Sequence, residues 1–407
     1  MELSRSECLQ IAKKHWKSEN VDVLSFGGYS APDAARGLIA ISNILWIKVR
    51  LNDTKIETMR CFVKTHPHNP FHLKLVKRCR AFYKEAEFFN TIYPQLKDYL
   101  KQKIFPVCLY ANDTITVLED LTATGCRNYS SGETFDFDHC MATLKSLAAF
   151  NAASFLYEAA TKSTIDKLHS DILFISWFSH LPDHPGNKHL MTGAAAIEAV
   201  LAKYFPTESE AIRAQFCQLL RELPQLLLPS SKHRNALSHN DLWGNNVMFR
   251  YDQRGDLKEA CLIDFQLFGY NPPAHDVYTL LFMNATDDSI LSRIDELVDY
   301  YYDELRKVMH DQGHSVDEFL TKRDFDESKD ESVKVGLASA VLFTHFTALP
   351  EEFLAEIIRD ETKLKRLMEE DRVEIIFKSI DHSEAYKQRL FTMINNLLKY
   401  LKGEVKF

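Results

Sequence analysis

The sequence predicts an α+β fold of two lobes, a small lobe with an antiparallel sheet and one helix, and a larger, mostly helical lobe. Strand-like apolar runs dominate up to about residue 120, and apolar residues recur at helical spacing over most of the remainder. A chain of 407 residues with 45% apolar content can bury the cores that two lobes need. We therefore expect an N-terminal lobe over residues 1–120 and a C-terminal lobe over residues 121–407.

The first predicted strands lie between residues 38 and 65. Two β-rich runs, LIAISNILWIKVRL and TKIETMRCFVKT, flank a turn at Asn52-Asp53, which indicates a hairpin. Residues alternate between the two faces of a strand, so Lys64 falls on the face opposite to Val63. Two later apolar runs, KIFPVCLYA and TITVLEDL, are expected to complete the sheet.

The helix of the small lobe is predicted in the run LVKRCRAFYKEAEFFNTIYP. Glu85 borders its apolar stripe, whereas Glu87 takes a more exposed bearing, so Glu85 is the better candidate for a buried ion pair. Pro94 is expected to end this helix, because proline interrupts helical hydrogen bonding.

Most of the chain beyond residue 121 shows apolar residues at helical spacing, beginning with a run that an aspartate can cap. The exception is residues 237–268, where two short strand-like runs are joined by a segment with the composition of a hairpin turn. A hairpin is therefore expected inside a helical lobe. The further predicted helices span 195–223, with a break at Pro206, 277–283, 290–309 and 384–401.

Composition and charge argue against several classes of protein. The net charge is −8, and Lys and Arg are scattered instead of forming the basic face of a nucleic-acid binder. The sequence contains no run of 18 apolar residues, so a membrane span is not expected. The first residues lack the apolar stretch of a secretory signal. The eight dispersed cysteines favour free thiols in a reducing compartment. We expect a cytoplasmic protein without a nucleic-acid partner, a membrane span or an obligate protein partner.

A polar loop precedes the predicted hairpin, in the run HNDLWGNN. Asp241 precedes Asn246 by five positions, and Asp264 opens the run DFQ after the second hairpin strand. Phosphoryl transfer from ATP needs an acceptor hydroxyl that loses its proton and a divalent metal that neutralises the phosphate oxygens. A loop carboxylate can take the proton, and an amide oxygen with a second carboxylate can hold Mg²⁺, which prefers oxygen ligands. The spacing therefore indicates a phosphoryl-transfer site.

The N-terminal lobe contains residues suited to the nucleotide side of such a site. An ammonium at Lys64, tied to a helix carboxylate at Glu85, would orient the α- and β-phosphates of ATP. The turn SFGGYSAPDAARG, which includes Ser30, suits a close approach of backbone to phosphates. The run VLEDL, with Glu119 and Leu121, lies where the lobes join, so its backbone would meet an adenine edge.

The runs CFVK, FYKEAEFF, VLEDL, HNDLWGNN and LIDFQ, in this order, carry a family resemblance. They resemble the ecdysteroid-kinase-like, or CHK-kinase-like, family, which is related to choline kinases and aminoglycoside phosphotransferases and has a protein-kinase-like fold. The resemblance covers residues 20–400 and implies ATP and Mg²⁺ as cofactors. The roles it implies are catalytic base for Asp241, metal ligands for Asn246 and Asp264, and a nucleotide-side ion pair for Lys64 and Glu85.

Two positions depart from the pattern of the family. Asn240 stands after His239 where relatives often carry Gly, and Asn151 stands where many have His. Neither departure removes a group that phosphoryl transfer needs.

Several neighbouring polar residues are better explained by structural roles. His239 is expected to bond loop backbone, and Asp276 is expected to cap the helix that follows it. The histidines of KTHPHNPFH lack a partner at metal-ligand spacing, which favours a solvated loop. Trp243 either contacts substrate or wedges the loop, and the sequence does not separate these alternatives.

The leading interpretation is an ATP- and Mg²⁺-dependent small-molecule kinase that phosphorylates an alcohol, and the resemblance suggests an ecdysteroid or a similar hydroxylated lipophilic compound. A choline- or aminoglycoside-type kinase with another small acceptor stays open, as does a catalytically idle sterol-binding protein. A metal-dependent phosphohydrolase would be built on His239, Asp264 and the doublet His275-Asp276. It would leave Lys64 and Glu85 of the small lobe unexplained. The acceptor pocket is expected within residues 136–205 and 334–373.

Overall fold

The structure, a computed structural model, describes residues 3–407 apart from 32–39, 53, 130–133, 174–178, 180, 182, 185 and 286. Asp53 of the predicted turn and most of the glycine-rich run after Ser30 therefore lie outside the described residues. The predicted α+β fold is confirmed, with an antiparallel sheet in the N-terminal part and mostly helices in the remainder.

An antiparallel sheet of five strands forms the small lobe. The strands are β1 (Val21–Ser30), β2 (Ile41–Leu51), β3 (Lys55–Thr65), β4 (Cys108–Ala111) and β5 (Ile115–Glu119). Their order across the sheet is β1-β2-β3-β5-β4. Met59, Cys61 and Val63 alternate along β3 and are buried together in one core, as their spacing predicts. Lys64 points away from that core and lies between Ser42 of β2 and Thr116 of β5 in the register.

The small lobe contains more helices than the one that the sequence predicts. They are α1 (Arg5–Trp16), α2 (Pro70–Arg78), α3 (Ala81–Glu87) and α4 (Tyr93–Leu96). The histidine-containing run that was expected to be a solvated loop is a loop only as far as Asn69. Its last three residues begin α2, because the Asn69 side chain accepts the backbone N–H of His72 at 3.1 Å and caps the helix. The His72 side chain is buried there.

The expectation that Pro94 ends the main helix of this lobe is wrong. Residues 88–92 form one wide π turn, in which the Tyr93 N–H donates to the Phe88 carbonyl, five residues back. Pro94 then lies in the first turn of α4, where the absence of an N–H group removes no helical hydrogen bond. The chain therefore continues as a helix from α3 into α4.

The larger lobe is mostly helical, and the predicted break at Pro206 separates two of its helices. Its helices are α5 (Phe137–Thr161), α6 (Ile165–Leu168), α7 (Ser170–Leu173), α8 (Asn187–Tyr204), α9 (Glu210–Leu226), α10 (Pro273–Asn284), α11 (Asp288–Leu291), α12 (Ile294–Asp311), α13 (Lys322–Glu327), α14 (Lys329–Thr347), α15 (Glu351–Arg359), α16 (Glu361–Lys365), α17 (Val373–His382) and α18 (Glu384–Leu401).

Short strands cross the larger lobe near its junction with the sheet lobe. They are β6 (Cys126–Asn128), β7 (Ala236–Ser238), β8 (Val247–Tyr251), β9 (Leu257–Leu262) and β10 (Gly269–Asn271). β8 and β9 form the predicted hairpin, β6 pairs with β8, and β7 pairs with β10. The polar loop of residues 239–246 therefore runs from β7 into the hairpin.

Aromatic side chains from both lobes meet at this junction. The rings of Phe88 and Phe265 stack in parallel with their centroids 3.8 Å apart. Phe105 lies edge-on to Phe265 at 5.0 Å and to Phe150 of α5 at 5.4 Å. All of these side chains are buried. The helix of the small lobe is thereby packed directly against the segment that follows β9.

Helices α10 and α14 cross at their closest point at Gly336. A Cβ atom there would lie 2.7 Å from the backbone carbon and 2.8 Å from the carbonyl oxygen of Tyr278. Helix backbone cannot move aside cheaply, so Gly336→Ala is expected to lower the free energy of unfolding by about 1–3 kcal/mol, although alanine favours helix. Urea denaturation checks this against Lys334→Ala, a partly exposed site on α14; equal midpoints for the two variants would contradict the prediction.

Membrane-spanning potential is low in the part of the chain that the structure describes. No single helix there is long and apolar enough to cross a membrane. Only α14 and α15 meet that length and composition jointly, with a bend of 73° between them. The eight cysteines are buried free thiols, as their dispersed positions predict.

Candidate active site

Lys64 lies at the centre of a buried ion-pair network between the lobes. Its ammonium is 2.8 Å from Glu85 Oε1 on α3 and 3.1 Å from Asp264 Oδ1 after β9. Burial alone would lower the pKa of Lys64, but the two carboxylates raise it above its ordinary value, so the lysine stays protonated. Glu87 instead accepts a hydrogen bond from Thr91. The structure therefore brings together the lysine and glutamate that the sequence analysis singled out.

The loop after β7 brings Asp241 and Asn246 into direct contact. The amide nitrogen of Asn246 donates to the Asp241 carboxylate at 2.7 Å and to the Asp241 carbonyl at 2.9 Å. Since the nitrogen of the amide is used in this way, its oxygen is left for another ligand. One side chain therefore fixes the predicted base and presents an oxygen donor beside it.

The hairpin sets Asn246 opposite Ile263, the residue before Asp264. Val247 of β8 pairs with Leu262 of β9, and the N–H of Ile263 donates to the Asn246 carbonyl at 3.0 Å. Asp264 follows in the left-handed backbone conformation, with φ 68°. This conformation is uncommon for residues other than glycine and is tolerated by aspartate, so it ends β9 and turns the carboxylate toward Lys64.

The carboxyl groups of Asp241 and Asp264 share one electrostatic environment. Burial, reinforced by the charge of Asp264, raises the pKa of Asp241 to about 8. Hydrogen bonds from Asn246 and Trp243, and the charge of Lys64, oppose this rise. Neutralisation of the Asp264 charge would remove the second of these two causes and would favour the base form of Asp241, whereas the effect of burial would remain.

His239 has the structural role that the sequence indicates. Its Nε2 donates to the carbonyl of Ile263 at 2.9 Å, and its ring lies 4.6 Å from that of Phe265. Burial lowers the pKa of His239 to about 4, so the imidazole is neutral. The histidine thereby ties the loop before the hairpin to the segment after it.

Asp276 has a different role from the predicted helix cap. It lies inside α10, which has Pro272 at its N-cap, and its carboxylate accepts the backbone N–H groups of His239 at 2.5 Å and Asn240 at 2.9 Å. Burial raises the pKa of Asp276 to about 6. The capping prediction was wrong because sequence adjacency to a helix start does not show which backbone groups a buried carboxylate reaches.

Replacing Asp276 by asparagine is expected to disturb the polar loop of residues 239–246. Both carboxylate oxygens accept a backbone N–H, so an amide nitrogen would face one of these donors. An unsatisfied buried donor costs about 1–3 kcal/mol of stability. We expect the free energy of unfolding and kcat to fall while nucleotide affinity changes little. Urea denaturation and steady-state kinetics measure both effects, and an unchanged kcat would rule out this positioning role.

The two departures from the family pattern fit the local structure. Asn240 adopts φ 61°, a left-handed conformation that glycine and asparagine both tolerate. Asn151 of α5 donates from its amide to the Leu237 carbonyl at 2.7 Å and accepts from Tyr301 at 2.6 Å. Asn151 therefore supports β7 just before the loop.

Asn284 is a supporting residue that the sequence analysis missed. It lies at the end of α10 and donates to the Leu242 carbonyl at 2.7 Å, in the middle of the polar loop. The available signal was a single asparagine in the otherwise apolar run LLFMNA, because a buried amide must find a partner.

The remaining residues that were predicted to contact the nucleotide lie at the ends of β1 and β5 or just after β5. Ser30 is exposed at the end of β1, shortly before residues 32–39, which lie outside the described residues. The Glu119 carboxylate forms an ion pair with Lys103, which leaves only its backbone for a nucleotide. Leu121 is buried in a small apolar cluster that also contains Cys126, Met248, Cys261 and Ile263.

The donor set of this site suits Mg²⁺. The Asn246 amide oxygen and the Asp264 carboxylate are hard oxygen donors on neighbouring positions of one hairpin. Mg²⁺ in phosphoryl-transfer sites takes one or two protein oxygens and completes its shell with waters and substrate phosphates. Among the described residues, no group of three or more His, Cys, Asp or Glu side chains forms a metal site.

Comparison with known families identifies the class of protein. The sequence model of the ecdysteroid kinase-like family matches residues 39–314. A kinase of this type is a small-molecule phosphotransferase that acts on alcohol groups. The match covers more than half of the chain, so this chain belongs to the ecdysteroid kinase-like family. The resemblance drawn from the sequence is confirmed.

Solved structures of kinases align along almost the whole chain at low overall similarity. A microcompartment-associated aminopropanol kinase is 13% identical, with 97% of this chain and 98% of that chain covered and a TM-score of 0.45. A choline kinase from Streptococcus pneumoniae is 12% identical, with coverages of 96% and 100% and a TM-score of 0.39. An ADP-bound aminoglycoside phosphotransferase is 14% identical, with coverages of 95% and 99% and a TM-score of 0.34. A search of curated proteins finds no significant match.

Proposed function

We propose that the protein is an ATP- and Mg²⁺-dependent kinase that transfers the γ-phosphate to an alcohol group of an ecdysteroid or a similar hydroxylated lipophilic compound. The observation that carries this proposal is the convergence on Asp264. Lys64, paired with Glu85, reaches Asp264 from the small lobe. In the larger lobe, the carbonyl of Asn246 accepts the N–H of Ile263, the residue before Asp264. A phosphohydrolase needs no such lysine between the lobes.

Asp241 is proposed as the catalytic base. Asn246 holds its carboxylate through the 2.7 Å hydrogen bond, so the carboxylate has a fixed direction from which to take the proton of the acceptor hydroxyl. Burial, and after it the charge of Asp264, raises the pKa of Asp241, so neutralisation of that charge in the loaded site would favour the base form of Asp241.

Asn246 and Asp264 are proposed as the metal ligands. Bound Mg²⁺ would neutralise the phosphate oxygens on which negative charge accumulates during transfer. The nitrogen of the Asn246 amide donates to Asp241, and its oxygen is the proposed ligand of Mg²⁺. One side chain would therefore set the distance between the base and the metal. The left-handed turn at Asp264 keeps its carboxylate within reach of Lys64.

Lys64 and Glu85 are proposed to orient the nucleotide phosphates. A buried, protonated lysine with two carboxylate partners can exchange one of them for phosphate without leaving its place. The backbone at Glu119 and Leu121 would meet the adenine edge over the apolar cluster around Leu121, and the backbone near Ser30 would approach the phosphates. We propose that the chain divides into a nucleotide-binding lobe over residues 1–120 and a catalytic and substrate-binding lobe over residues 121–407.

The acceptor is proposed to bind within residues 136–205 and 334–373 of the larger lobe. The chain has no strongly basic or acidic tract, which favours a mainly apolar acceptor over a highly charged one. A cytoplasmic location is proposed because the eight cysteines are dispersed free thiols, which suit a reducing compartment.

A transfer assay with an acceptor panel tests this function. Purified protein, ATP and Mg²⁺ are mixed with ecdysteroids, choline and an aminoglycoside, and products are identified by mass spectrometry. We expect a phosphate ester of an ecdysteroid and dependence of its formation on Mg²⁺. Transfer to choline or the aminoglycoside alone would overturn the proposed acceptor. Sterol binding without nucleotide binding or transfer would overturn the kinase function.

A further inference from the structure

Residues 241–243 of the polar loop form a tight turn. The N–H of Trp243 donates to the carbonyl of Asp241 at 3.1 Å, two residues back. The Leu242 side chain between them is fully buried. Asp241 and Trp243, on either side of this buried residue, are both partly exposed.

Hydrogen bonds to the carbonyl groups of Leu242 and Trp243 fix this turn. The Leu242 carbonyl accepts the amide N–H of Asn284 at 2.7 Å, and the Trp243 carbonyl accepts the N–H of Asn246 at 2.8 Å. Asn246 also holds the Asp241 side chain. The position of the indole relative to the base is therefore set by the same hydrogen bonds that set the base.

The indole has one packed side and one open side. Part of Trp243 packs against the large core of the helical lobe, and the remainder stays accessible. Its side chain lies close enough to the Asp241 carboxyl to work against the rise in the pKa of that group, which is caused first by burial and then by Asp264. A wedge that only filled space beneath the loop would be fully buried and would not reach the carboxyl group.

We propose that Trp243 determines acceptor specificity, with its indole face as an apolar wall beside the reacting hydroxyl and its N–H group as a positioning donor to Asp241. This inference rests on the proposed function and deepens it. The wall favours acceptors that carry a flat ring or a hydrocarbon surface next to the hydroxyl, because such a surface leaves water when it stacks on the indole.

Two substitutions separate the wall from the donor. Trp243→Phe keeps a flat apolar face and removes the N–H group, whereas Trp243→Gln keeps an N–H donor and removes the face. Kinetics are measured for wild type and both variants with an ecdysteroid and with glycerol, a small alcohol without a ring. ATP affinity is measured in parallel and should be equal in all three proteins if the loop stays folded.

The expected changes differ between the two variants. Trp243→Gln should raise KM for the ecdysteroid about 10-fold, the effect of losing a modest apolar contact area, with little change in KM for glycerol. Trp243→Phe should lower kcat about 5-fold for both acceptors, the effect of one lost hydrogen bond, and leave both KM values unchanged. In a binding experiment without ATP, the ecdysteroid should quench the tryptophan fluorescence of wild type more than that of Trp243→Phe.

The outcomes distinguish this inference from the function on which it rests. If wild type phosphorylates neither acceptor and binds no nucleotide, the proposed function fails, and the role of Trp243 fails with it. If wild type is active but Trp243→Gln changes KM for both acceptors equally or for neither, the wall is overturned and the kinase remains. If Trp243→Phe keeps wild-type kcat, the positioning donor is overturned. Altered ATP affinity in both variants would show a wedge that only supports the loop.

Discussion

Replacing Asp241 by asparagine is expected to lower kcat about 10²–10⁴-fold, the usual contribution of a positioned general base. Asparagine preserves the shape of the side chain and can still accept the hydrogen bond from Asn246, so the loop should keep its geometry. It cannot take a proton from the acceptor hydroxyl. Nucleotide affinity should change little, because the base acts mainly in the transition state. Steady-state kinetics and ATP titration measure the two quantities separately.

The same variant carries an internal check through its stability. The pKa of Asp241 is raised from 3.8 to about 8, so the folded protein keeps a proton that the unfolded protein has released. Without ligands, wild type therefore loses stability as the pH rises from about 4 to about 8, and Asp241→Asn avoids this loss. Melting temperatures measured at both ends of this pH range should show that the stability of Asp241→Asn relative to wild type is greater at the higher pH.

Asp256→Asn is a matched control for this result. Asp256 lies in the exposed hairpin turn, and its carboxylate has only a long contact of 3.9 Å with Lys258. It should leave kcat, ATP affinity and the pH dependence of melting at wild-type values. A kcat for Asp241→Asn within a few-fold of this control would exclude Asp241 as the base.

Replacing Asp264 by asparagine is expected to have the second largest effect. Loss of a residue that only supports a metal ligand weakens metal affinity about 10–100-fold, and loss of a direct ligand should exceed that range. The Mg²⁺ concentration for half-maximal activity should therefore rise more than about 100-fold. Lys64 also loses one of its two carboxylate partners, so the raised pKa of Lys64 moves toward its ordinary value. Activity is titrated with Mg²⁺ at saturating ATP.

The pattern of the two variants matters more than either loss alone. Asp241→Asn should keep the wild-type Mg²⁺ requirement and lose kcat, whereas Asp264→Asn should show its main defect in the Mg²⁺ titration. An Asp264→Asn protein with a normal Mg²⁺ requirement would remove Asp264 from the metal site.

The fold was predictable from the sequence where periodicity is strong. The alternation of Met59, Cys61 and Val63 marks β3, and the two short runs around residues 237–268 mark a hairpin within helices. The choice of Glu85 over Glu87 also followed from periodicity, since only Glu85 borders the buried side of the helix. These features depend on local pattern, which a single sequence contains.

Other features depend on contacts that no local pattern encodes. The sequence predicts that Asp276 caps a helix, but in the packed structure its carboxylate accepts the backbone N–H groups of His239 and Asn240. Pro94 reads as a helix end, but the wide turn before it lets the helix continue. Asn284 reaches Leu242 across 42 positions of chain. Each of these results depends on tertiary packing.

The stereochemistry of transfer tests the central claim most directly. Asp241 is a base in this account and no side chain becomes phosphorylated, so the acceptor oxygen attacks the γ-phosphorus in line with the leaving oxygen. With ATP made chiral at the γ-phosphorus by oxygen isotopes, the account predicts a phosphate ester with inverted configuration. Retention of configuration would show a phosphorylated enzyme intermediate and would contradict the account.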